Sequence, residues 1–166
     1  NLTSEHSLNI GPIGVTGSDS ANHIAENADI ILAVGTRLQD FTTGSWTAFA
    51  LDAKFISLNA GRHDAGKHMA LTVVGDAKLS LDILSKNLNY LAPKKWVQLA
   101  QDERIKWNKY VAENVSIGNQ PNSYAQAIGV VNAHCAKRDR IVAAAGGLPA
   151  EVTSNWKTLY TSTVDV

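Results

Sequence analysis

Runs of apolar residues alternate along this chain with stretches in which apolar residues recur every three or four positions. The first run, Ile30–Val34, is apolar throughout and stops at Gly35. An unbroken apolar run closed by glycine is typical of a central strand that is buried on both faces of a parallel sheet. Two further strands are predicted at 54–59 and 71–74, because both segments are rich in β-branched residues and end at turn residues.

Segments with helical spacing of apolar residues lie before and after these strands in the sequence. Ser18 or Ser20 can cap a helix that ends near Asn27, with Ile24 and Ala28 facing inward. A second helix is capped by Asp76 and runs to about residue 90, and a third follows Pro93 and ends near residue 114. The second has the core stripe Leu81, Leu84, Leu88 and Leu91; the third has Trp96, Leu99, Ala100, Trp107, Tyr110 and Val111, interrupted by Glu103 and Arg104.

The segment 116–122, SIGNQPN, has the composition of a turn, and we place a domain boundary there. A new unit follows, with a helix and a strand at 140–145. The core stripe of that helix is predicted to be Tyr124, Ala127, Ile128, Val131 and Cys135. No closing strand partner is recognisable in the tail. Strands alternating with helices predict an α/β fold, in which a parallel sheet is flanked by helices. The two units are 1–118 and 119–166.

Composition excludes several classes of partner. Lys plus Arg and Asp plus Glu both total 15, so the formal charge is zero and no basic field would attract nucleic acid or an anionic membrane. No apolar run approaches the ~20 residues that span a bilayer. Cys135 is the single cysteine, which excludes an internal disulfide and suits a reducing cytosol. We therefore expect a cytoplasmic protein without nucleic acid or membrane partners.

The first candidate site is the loop from Gly35 to Ser45. Ligands of open α/β sheets bind just beyond the carboxyl ends of the strands. In this loop Arg37 could hold a phosphate through its guanidinium fork, or it could pair with Asp40 and only order the loop. Asn59 follows the next strand and could reach the same crevice. The competing interpretation is a strand-to-helix turn that binds nothing.

Two other turns are rich in glycine. Gly11, Gly14 and Gly17 are spaced G-x-x-G-x-x-G, which is not the dinucleotide fingerprint, so a flexible turn is favoured over a phosphate cradle. The second turn runs from Gly146 to Pro149. Two glycines let a backbone approach a ligand, and a proline can start a helix whose free N–H groups face an anion. An ordinary tight turn explains it equally well.

His63, Asp64 and His68 are close in sequence, but a spacing of five suits neither one helix face nor one strand face. We favour a solvated loop there and expect no metal site. Cys135 is assigned to the core, because its neighbour His134 would point away from it in a helix. No catalytic residue is predicted.

Three longer sequence segments indicate a family more specifically than the single residues and short spacings above: ADIILAVGTRLQDFTTGSW, FISLNAGRHDAGKH and IVAAAGGLPAEVTSNW. They resemble the family of thiamine-diphosphate-dependent trihydroxycyclohexane-1,2-dione hydrolases of myo-inositol breakdown, within the acetolactate synthase superfamily. The resemblance extends over almost the whole chain. It implies hydrolysis of a ring C–C bond of a cyclic diketone to 5-deoxyglucuronate, with thiamine diphosphate and Mg²⁺ as cofactors. Active sites between subunits of a homo-oligomer are implied as well.

The resemblance also implies three α/β domains, of which the middle one is Rossmann-like and similar to those of sirtuins and transhydrogenase. Residues 1–118 resemble that central domain without its first strand, and 119–166 resemble the start of the diphosphate-binding domain. The cofactor-activating glutamate and the GDG…N motif of the family are absent; Gly75-Asp76-Ala77 lacks the third glycine. We therefore expect an inactive, structural fragment that binds no cofactor by itself and whose partners are the other domains and subunits.

Matched positions suggest two sets of binding residues. Gly35, Thr36 and Arg37 fall where relatives contact FAD or ADP, which implies a vestigial nucleotide site. Gly146, Gly147, Leu148 and Pro149 align with the loop beside thiamine diphosphate, which implies the edge of that site. The alternatives are a free-standing module that binds FAD, NAD or ADP, and a flavin-dependent domain like that of acetolactate synthase.

Overall fold

The computed structural model describes residues 2–116, 123–136, 139–144 and 146–159, and the backbone of 164–165. The strands are β1 (Ile30–Val34), β2 (Lys54–Asn59), β3 (Leu71–Val74), β4 (Ile141–Val142) and β5 (Val164–Asp165). The helices are α1 (Asp19–Glu26), α2 (Asp40–Thr43), α3 (Arg62–Ala65), α4 (Ala77–Asn87), α5 (Lys94–Asn114), α6 (Tyr124–His134) and α7 (Leu148–Asn155).

The main sheet is parallel and has the order β1-β2-β3, with Ile30 opposite Lys54 and Ile56 opposite Leu71. This confirms the predicted Rossmann-like α/β class and the three strand positions. The central strand is β2, in which neighbouring Ser57 and Leu58, on opposite faces, are both buried.

The prediction that 30–34 is a central strand buried on both faces is wrong. In the described sheet β1 is an edge strand, and the side chains of Ile30 and Leu32 are 58% and 41% exposed. Successive side chains of a strand point to opposite faces, and here only the face that carries Ile31 and Ala33 is covered. An apolar run therefore does not prove burial.

Helix α1 packs against α5. Ser18 is the cap, as one of the two alternatives predicted, and its Oγ accepts a hydrogen bond from the amide of Ala21 at 2.9 Å. The buried face of α1 consists of Ser20, Ala21 and Ala25, whereas Ile24 and Ala28 are only half-buried. The predicted inward face of α1 is therefore wrong, because small side chains allow α5 to approach on the adjacent face.

Helix α5 begins after Pro93 and ends at Asn114, as predicted. Glu103 does not interrupt its buried face, because it is only 5% exposed and lies on that face with Ala100 and Val111. The ammonium of Lys106 donates to its carboxylate at 2.5 Å, and the hydroxyl of Ser20 also bonds to it. A buried carboxylate is tolerated there because its oxygens have hydrogen-bond donors.

Helix α4 begins after Asp76, which caps it as predicted, and it ends at Asn87. The predicted leucine core of this helix is wrong, since none of its residues is buried and Leu91 is 90% exposed. Although α4 contacts β2, Leu81, Leu84 and Leu88 each remain at least 38% exposed. The helical spacing correctly predicted an amphipathic helix, but this spacing does not show which element, if any, packs against the leucine face.

The second unit packs on the first, through α7 against α5 and α6. Only Ile128 of its predicted stripe is buried; Ala125 is buried instead, and Tyr124, Ala127 and Val131 are exposed while Cys135 is half-buried. The predicted strand at 140–145 is short, and β4 pairs in parallel with β5. The expectation that the tail has no strand partner is therefore wrong. The proposed boundary at 118/119 lies outside the described residues.

Candidate functional site

The three parallel strands of the main sheet end at one common edge. The amide of Gly35, after β1, donates to the carbonyl of Leu58 at 2.9 Å, and the amide of Gly75, after β3, donates to the carbonyl of Asn59 at 3.1 Å. The turns that follow β1, β2 and β3 are thereby held side by side. This is the edge at which ligands of α/β sheets bind.

Asn59 connects two of these turns. Its Nδ2 donates to the carbonyl of Thr36 at 3.0 Å, and its Oδ1 accepts from the amide of Gly61 at 2.9 Å. The prediction that Asn59 reaches the Gly35 crevice is confirmed. Both ends of the amide are used by backbone groups, so the structure shows a clip between turns at this position.

Backbone conformation explains the glycine after β1. Gly35 has φ +64, and a Cβ built there would meet no atom within 4 Å. Glycine is therefore favoured by the left-handed turn rather than by lack of space. Leu38 has φ +47 although it is buried, and its amide is held by Thr36 Oγ1 at 3.2 Å. The loop is strained locally and fixed by short-range hydrogen bonds.

Arg37 is exposed at this edge, and no ion pair between Arg37 and Asp40 occurs within the described residues. Its charge acts instead on Asp64. The pKa of Asp64 lies below its ordinary value because Lys67 donates to Oδ1 at 2.7 Å, with smaller contributions from the charges of Lys67, Arg37 and His63, while desolvation opposes the shift. The edge therefore presents cationic groups around one carboxylate.

Two hydroxyl groups of the loop, those of Thr36 and Thr43, form hydrogen bonds inside the protein. Thr43 is completely buried; its Oγ1 donates to the carbonyl of Gln39 at 3.1 Å and accepts from the amide of Trp46 at 3.3 Å. Thr47 donates to Gly44 at 2.6 Å. These side chains order the turns around α2, and Arg37 is the exposed cation of the loop.

The segment 62–69 forms the short helix α3 and a turn, so the predicted loop contains a helix. The ring of His68 contacts that of Trp46 in a tilted arrangement, with centroids 3.7 Å apart and planes at 42°, while His63 is exposed and Asp64 is paired with Lys67. Across the described residues, no group of three or more His, Cys, Asp or Glu side chains is arranged to hold a metal ion.

The turn of Gly11, Gly14 and Gly17 is packed tightly, which argues against the phosphate cradle. The amide of Gly14 donates to Asn22 Oδ1, and Asn22 Nδ2 donates back to the carbonyl of Gly14, both at 2.9 Å. The amide of Gly17 donates to the same carbonyl at 3.0 Å. A Cβ on Gly14 would lie 2.1 Å from the carbonyl oxygen of Phe41. Its amides therefore bond within the protein.

The second glycine turn has the opposite character. Cβ atoms built on Gly146 and Gly147 would meet nothing within 4 Å, and α7 begins at Leu148 with Pro149 in its first turn, as predicted. No side chain caps α7. The turn thus exposes backbone N–H groups, although Glu151 places an acidic side chain in the same first turn.

These two candidate sets lie on different parts of the fold. Arg37 and Asn59 share the edge of the main sheet, whereas α7 is held by α5, by α6 and by the bond from Ser154 Oγ to the carbonyl of Thr16 at 2.9 Å. None of the described contacts joins the Gly35 turn to the Gly146 turn. The sequence interpretation missed three features. The first is the pair of hydrogen bonds between the Asn22 side chain and the backbone of Gly14, here called the Asn22 bracket. The others are the buried Glu103 and the contacts of Trp46 with Phe49, Phe55 and His68, of which only the aromatic contacts had a signal in the sequence, the aromatic residues near Trp46.

The edge architecture agrees with a comparison against protein families. The model of the central domain of thiamine pyrophosphate enzymes matches residues 1–84, which include the whole main sheet and the Gly35 turn. The chain belongs to this family. The resemblance drawn from the sequence strings is therefore confirmed for this thiamine pyrophosphate enzyme domain.

Curated relatives agree with the family. The 3D-(3,5/4)-trihydroxycyclohexane-1,2-dione hydrolase of Clostridium botulinum (strain Alaska E43) is 31% identical over 95% of this chain and 28% of its own length. The protein of the same name from Bacillus velezensis is 34% identical over 89% of this chain and 27% of its own length. That of Clostridium tetani is 46% identical over half of this chain and 13% of its own length. The chain spans less than a third of these relatives.

No helix among the described residues is long and apolar enough to cross a membrane.

Proposed function

We propose that this chain supplies the central domain of a thiamine-diphosphate-dependent enzyme that hydrolyses a ring C–C bond of 3D-(3,5/4)-trihydroxycyclohexane-1,2-dione to 5-deoxyglucuronate in inositol catabolism. The observation that carries the proposal is the similarity to proteins of that name over 95% of the chain. The cyclic diketone is accordingly the substrate of the complete enzyme.

Within that enzyme the chain acts as a scaffold. Its conspicuous polar residues at the sheet edge, Asn59 and Thr43, bond to backbone groups of the chain itself. Glu103, the buried carboxylate of α5, is paired with Lys106. Such side chains order turns and helix contacts, and we assign no catalytic residue to the chain.

The turn from Gly146 to Pro149 fits the edge of a thiamine diphosphate site. Its glycines leave space for a ligand to approach the backbone, and the first turn of α7 has no side-chain cap. Gly146, Gly147, Leu148 and Pro149 would therefore contact the cofactor, which supplies an electron sink for the carbanion chemistry. The residues described here provide no carboxylate cluster for Mg²⁺, so that ion would be bound by other parts of the enzyme.

A domain exchange tests this function. The chain replaces the corresponding residues of the Clostridium botulinum relative, and release of 5-deoxyglucuronate is measured for the chimera and for the chain alone. We expect turnover by the chimera and none by the chain. A chimera carrying Gly14→Ala is the control for a misfolded central domain. Turnover by the isolated chain, or a folded chimera that binds the cofactor but releases no product, would overturn the proposal.

Cofactor binding by the chain is tested separately by isothermal titration with thiamine diphosphate and Mg²⁺. We expect no tight binding, because the turn offers only one edge of a site. A sub-micromolar dissociation constant for the chain alone would contradict the scaffold assignment.

The exposed Arg37 supports a second candidate, a nucleotide site formed by Gly35, Thr36 and Arg37 at the sheet edge. Thermal unfolding with FAD, NAD and ADP tests it, because a ligand at a hundred times its dissociation constant adds ~2.7 kcal/mol of stability. Arg37→Gln should abolish any shift, whereas Arg62→Gln, also exposed, serves as the control. Yellow colour of the purified protein would favour the flavin-binding alternative.

Several further features follow from the same proposal. We assign residues 1–118 and 119–166 to two domains of the complete enzyme, which we expect to be a cytoplasmic homo-oligomer. Sedimentation of the chimera measures its assembly. Expression of 1–118 alone, followed by urea unfolding, tests whether that unit is stable without α7.

A further inference from the structure

A cavity of about 410 Å³ lies between the N-terminal segment, α5 and the residues that end and follow α7. We call it the tryptophan cavity, because Trp107 and Trp156 both line it. Its volume falls in the ~300–1,000 Å³ range of small-molecule sites. Neither the Gly35 turn nor the Gly146 turn contributes to its walls.

Hydrogen bonds between distant segments build the walls. The amide of Ser4 donates to the carbonyl of Thr158, and the amide of Thr158 donates to Ser4 Oγ, both at 2.8 Å. Arg104 on α5 donates to the carbonyls of Ser4 and Glu5 at 3.2 and 3.0 Å. These contacts fix the N-terminal segment against the residues that follow α7, so the cavity is formed before any ligand arrives.

Several lining groups have unused hydrogen-bonding capacity. The indole N–H groups of Trp107 and Trp156, the side-chain amide of Asn108 and the hydroxyl of Thr158 bond to no partner in the parts of the chain that the structure describes. Gly11 lies opposite one of these donors, since a Cβ built there would be 3.0 Å from Trp107 Nε1. The absence of a side chain at Gly11 leaves the edge of that indole accessible.

The charge of the lining has one sign. Lys157 is the charged residue among the lining residues that the structure describes, and no acidic side chain accompanies it there. Its ammonium makes no ion pair within the described residues. A monoanion would balance one ammonium, whereas a doubly charged phosphate would leave a charge uncompensated.

We propose that the tryptophan cavity binds a hydroxylated monocarboxylate of sugar size, a sugar acid. The carboxylate would lie at Lys157, the hydroxyl groups would accept from the indole N–H groups and bond to Asn108, and the C–H faces of the ring would lie on the indoles. This site is independent of the proposed hydrolase function, because it uses neither the Gly146 turn nor the sheet edge.

Nuclear magnetic resonance of the indole N–H groups tests the proposal on the intact chain. The chain has four tryptophans, and single Trp→Phe variants assign the signals. Titration with D-glucuronate should shift the signals of Trp107 and Trp156 saturably and leave those of Trp46 and Trp96 unchanged. Glucose tests the carboxylate, benzoate tests the hydroxyl groups, and inorganic phosphate tests the charge argument.

A matched pair of exposed lysines supplies the control. Lys157→Gln should weaken glucuronate binding about threefold to fivefold, as expected for loss of an exposed ionic contact. Lys95→Gln, on the exposed first turn of α5, should leave the affinity unchanged. The proposal is overturned if glucuronate causes no saturable shift, if both lysine variants bind alike, or if glucose, benzoate or phosphate binds as tightly as glucuronate.

Discussion

Two glycine-rich turns precede helices in this protein, and they differ in how closely they are packed and in what their backbone amides contact. The turn from Gly11 to Gly17 before α1 is filled: its amides bond to Asn22 and to its own carbonyls, and a Cβ at Gly14 would overlap the backbone at Phe41. The turn at Gly146 and Gly147 before α7 is open, without neighbours for a Cβ and without a side-chain cap on the helix.

The difference shows that glycine spacing does not by itself indicate a ligand cradle. A glycine-rich turn binds an anion only when its N–H groups remain free. In the first turn glycine serves close packing of the chain on itself, whereas in the second it leaves a backbone accessible. Five sets of substitutions test this contrast and the packing of α1 beside the first turn, and they are given from the largest expected effect to the smallest.

Gly14→Ala should be the most destabilising change, at about 3–5 kcal/mol. A Cβ there would lie 2.1 Å from the carbonyl oxygen of Phe41, and φ +111 disfavours any side chain. Urea unfolding measures the loss. Gly35→Ala separates strain from overlap, because its φ is +64 but its surroundings are open, and about 1 kcal/mol is expected. Equal losses would refute the tightly packed first turn.

Asn22→Ala should cost about 2 kcal/mol, because it removes both hydrogen bonds of the bracket around Gly14. The same unfolding measurement on Asn27→Ala provides the comparison. Asn27 lies at the exposed end of α1, where its side-chain Nδ2 donates to the carbonyl of His23 at 2.8 Å. Its substitution should change the free energy of unfolding by no more than ~0.5 kcal/mol. The bracket would lose its importance if the two variants were equally stable.

Ser18→Ala should cost about 1.5 kcal/mol, since Ser18 is completely buried, caps α1 and donates to the carbonyl of Ile10 at 3.2 Å. Ser123 is an exposed cap of α6, with its Oγ 3.2 Å from the amide of Gln126. Ser123→Ala should cost about 0.5 kcal/mol. A larger loss for Ser123 would contradict the role assigned to burial.

Glu103→Gln should cost about 1 kcal/mol at pH 7, because a charged hydrogen bond that supports α1 on α5 becomes neutral. The bond from Lys106 holds the pKa of Glu103 below its ordinary value of 4.5, with desolvation opposing it and Ser20 assisting it. A lowered pKa gives stability that is present above 4.5 and disappears as the pH falls through the folded pKa. Urea unfolding between pH 7 and pH 3 should therefore show the difference between wild type and variant shrinking below pH 4.5.

Gly147→Ala should change stability by less than ~0.5 kcal/mol, because its φ of −73° suits any residue and no atom lies near its Cβ. Gly146→Ala should cost about 1 kcal/mol through its φ of +142 alone. Thermal unfolding of the pair measures both. A loss above ~1 kcal/mol at Gly147 would show that this turn is packed like the first.

Local patterns predicted the elements of the main sheet well. The strands at 54–59 and 71–74 have the expected bounds, the first begins at Ile30, one residue after the expected 29, and α5 begins after Pro93. β-Branched runs, glycine stops and helix-starting prolines act within a few residues, so sequence locates such elements well. Asn59 was expected at the Gly35 crevice for a topological reason, since parallel strands end on the same edge.

Burial could not be predicted in the same way. Ile30 and Leu32 match a buried strand and Leu84 matches a helix core, yet all three are exposed, while Glu103 is buried. Whether an apolar face is covered depends on which other element packs against it, and a periodic pattern contains no information about that partner. The same limit applies to Gly14, whose neighbours at Phe41 and Asn22 are distant in sequence.

By itself the sequence determined the α/β class, the parallel strands, the helix starts and the family, because these depend on local propensity and on strings of residues that relatives share. The tertiary structure decided which glycine turn is filled, which carboxylate is buried and which indole groups line a common cavity. Those outcomes depend on contacts between distant segments, such as Ser4 with Thr158, and contacts of that kind exist only once the chain is folded.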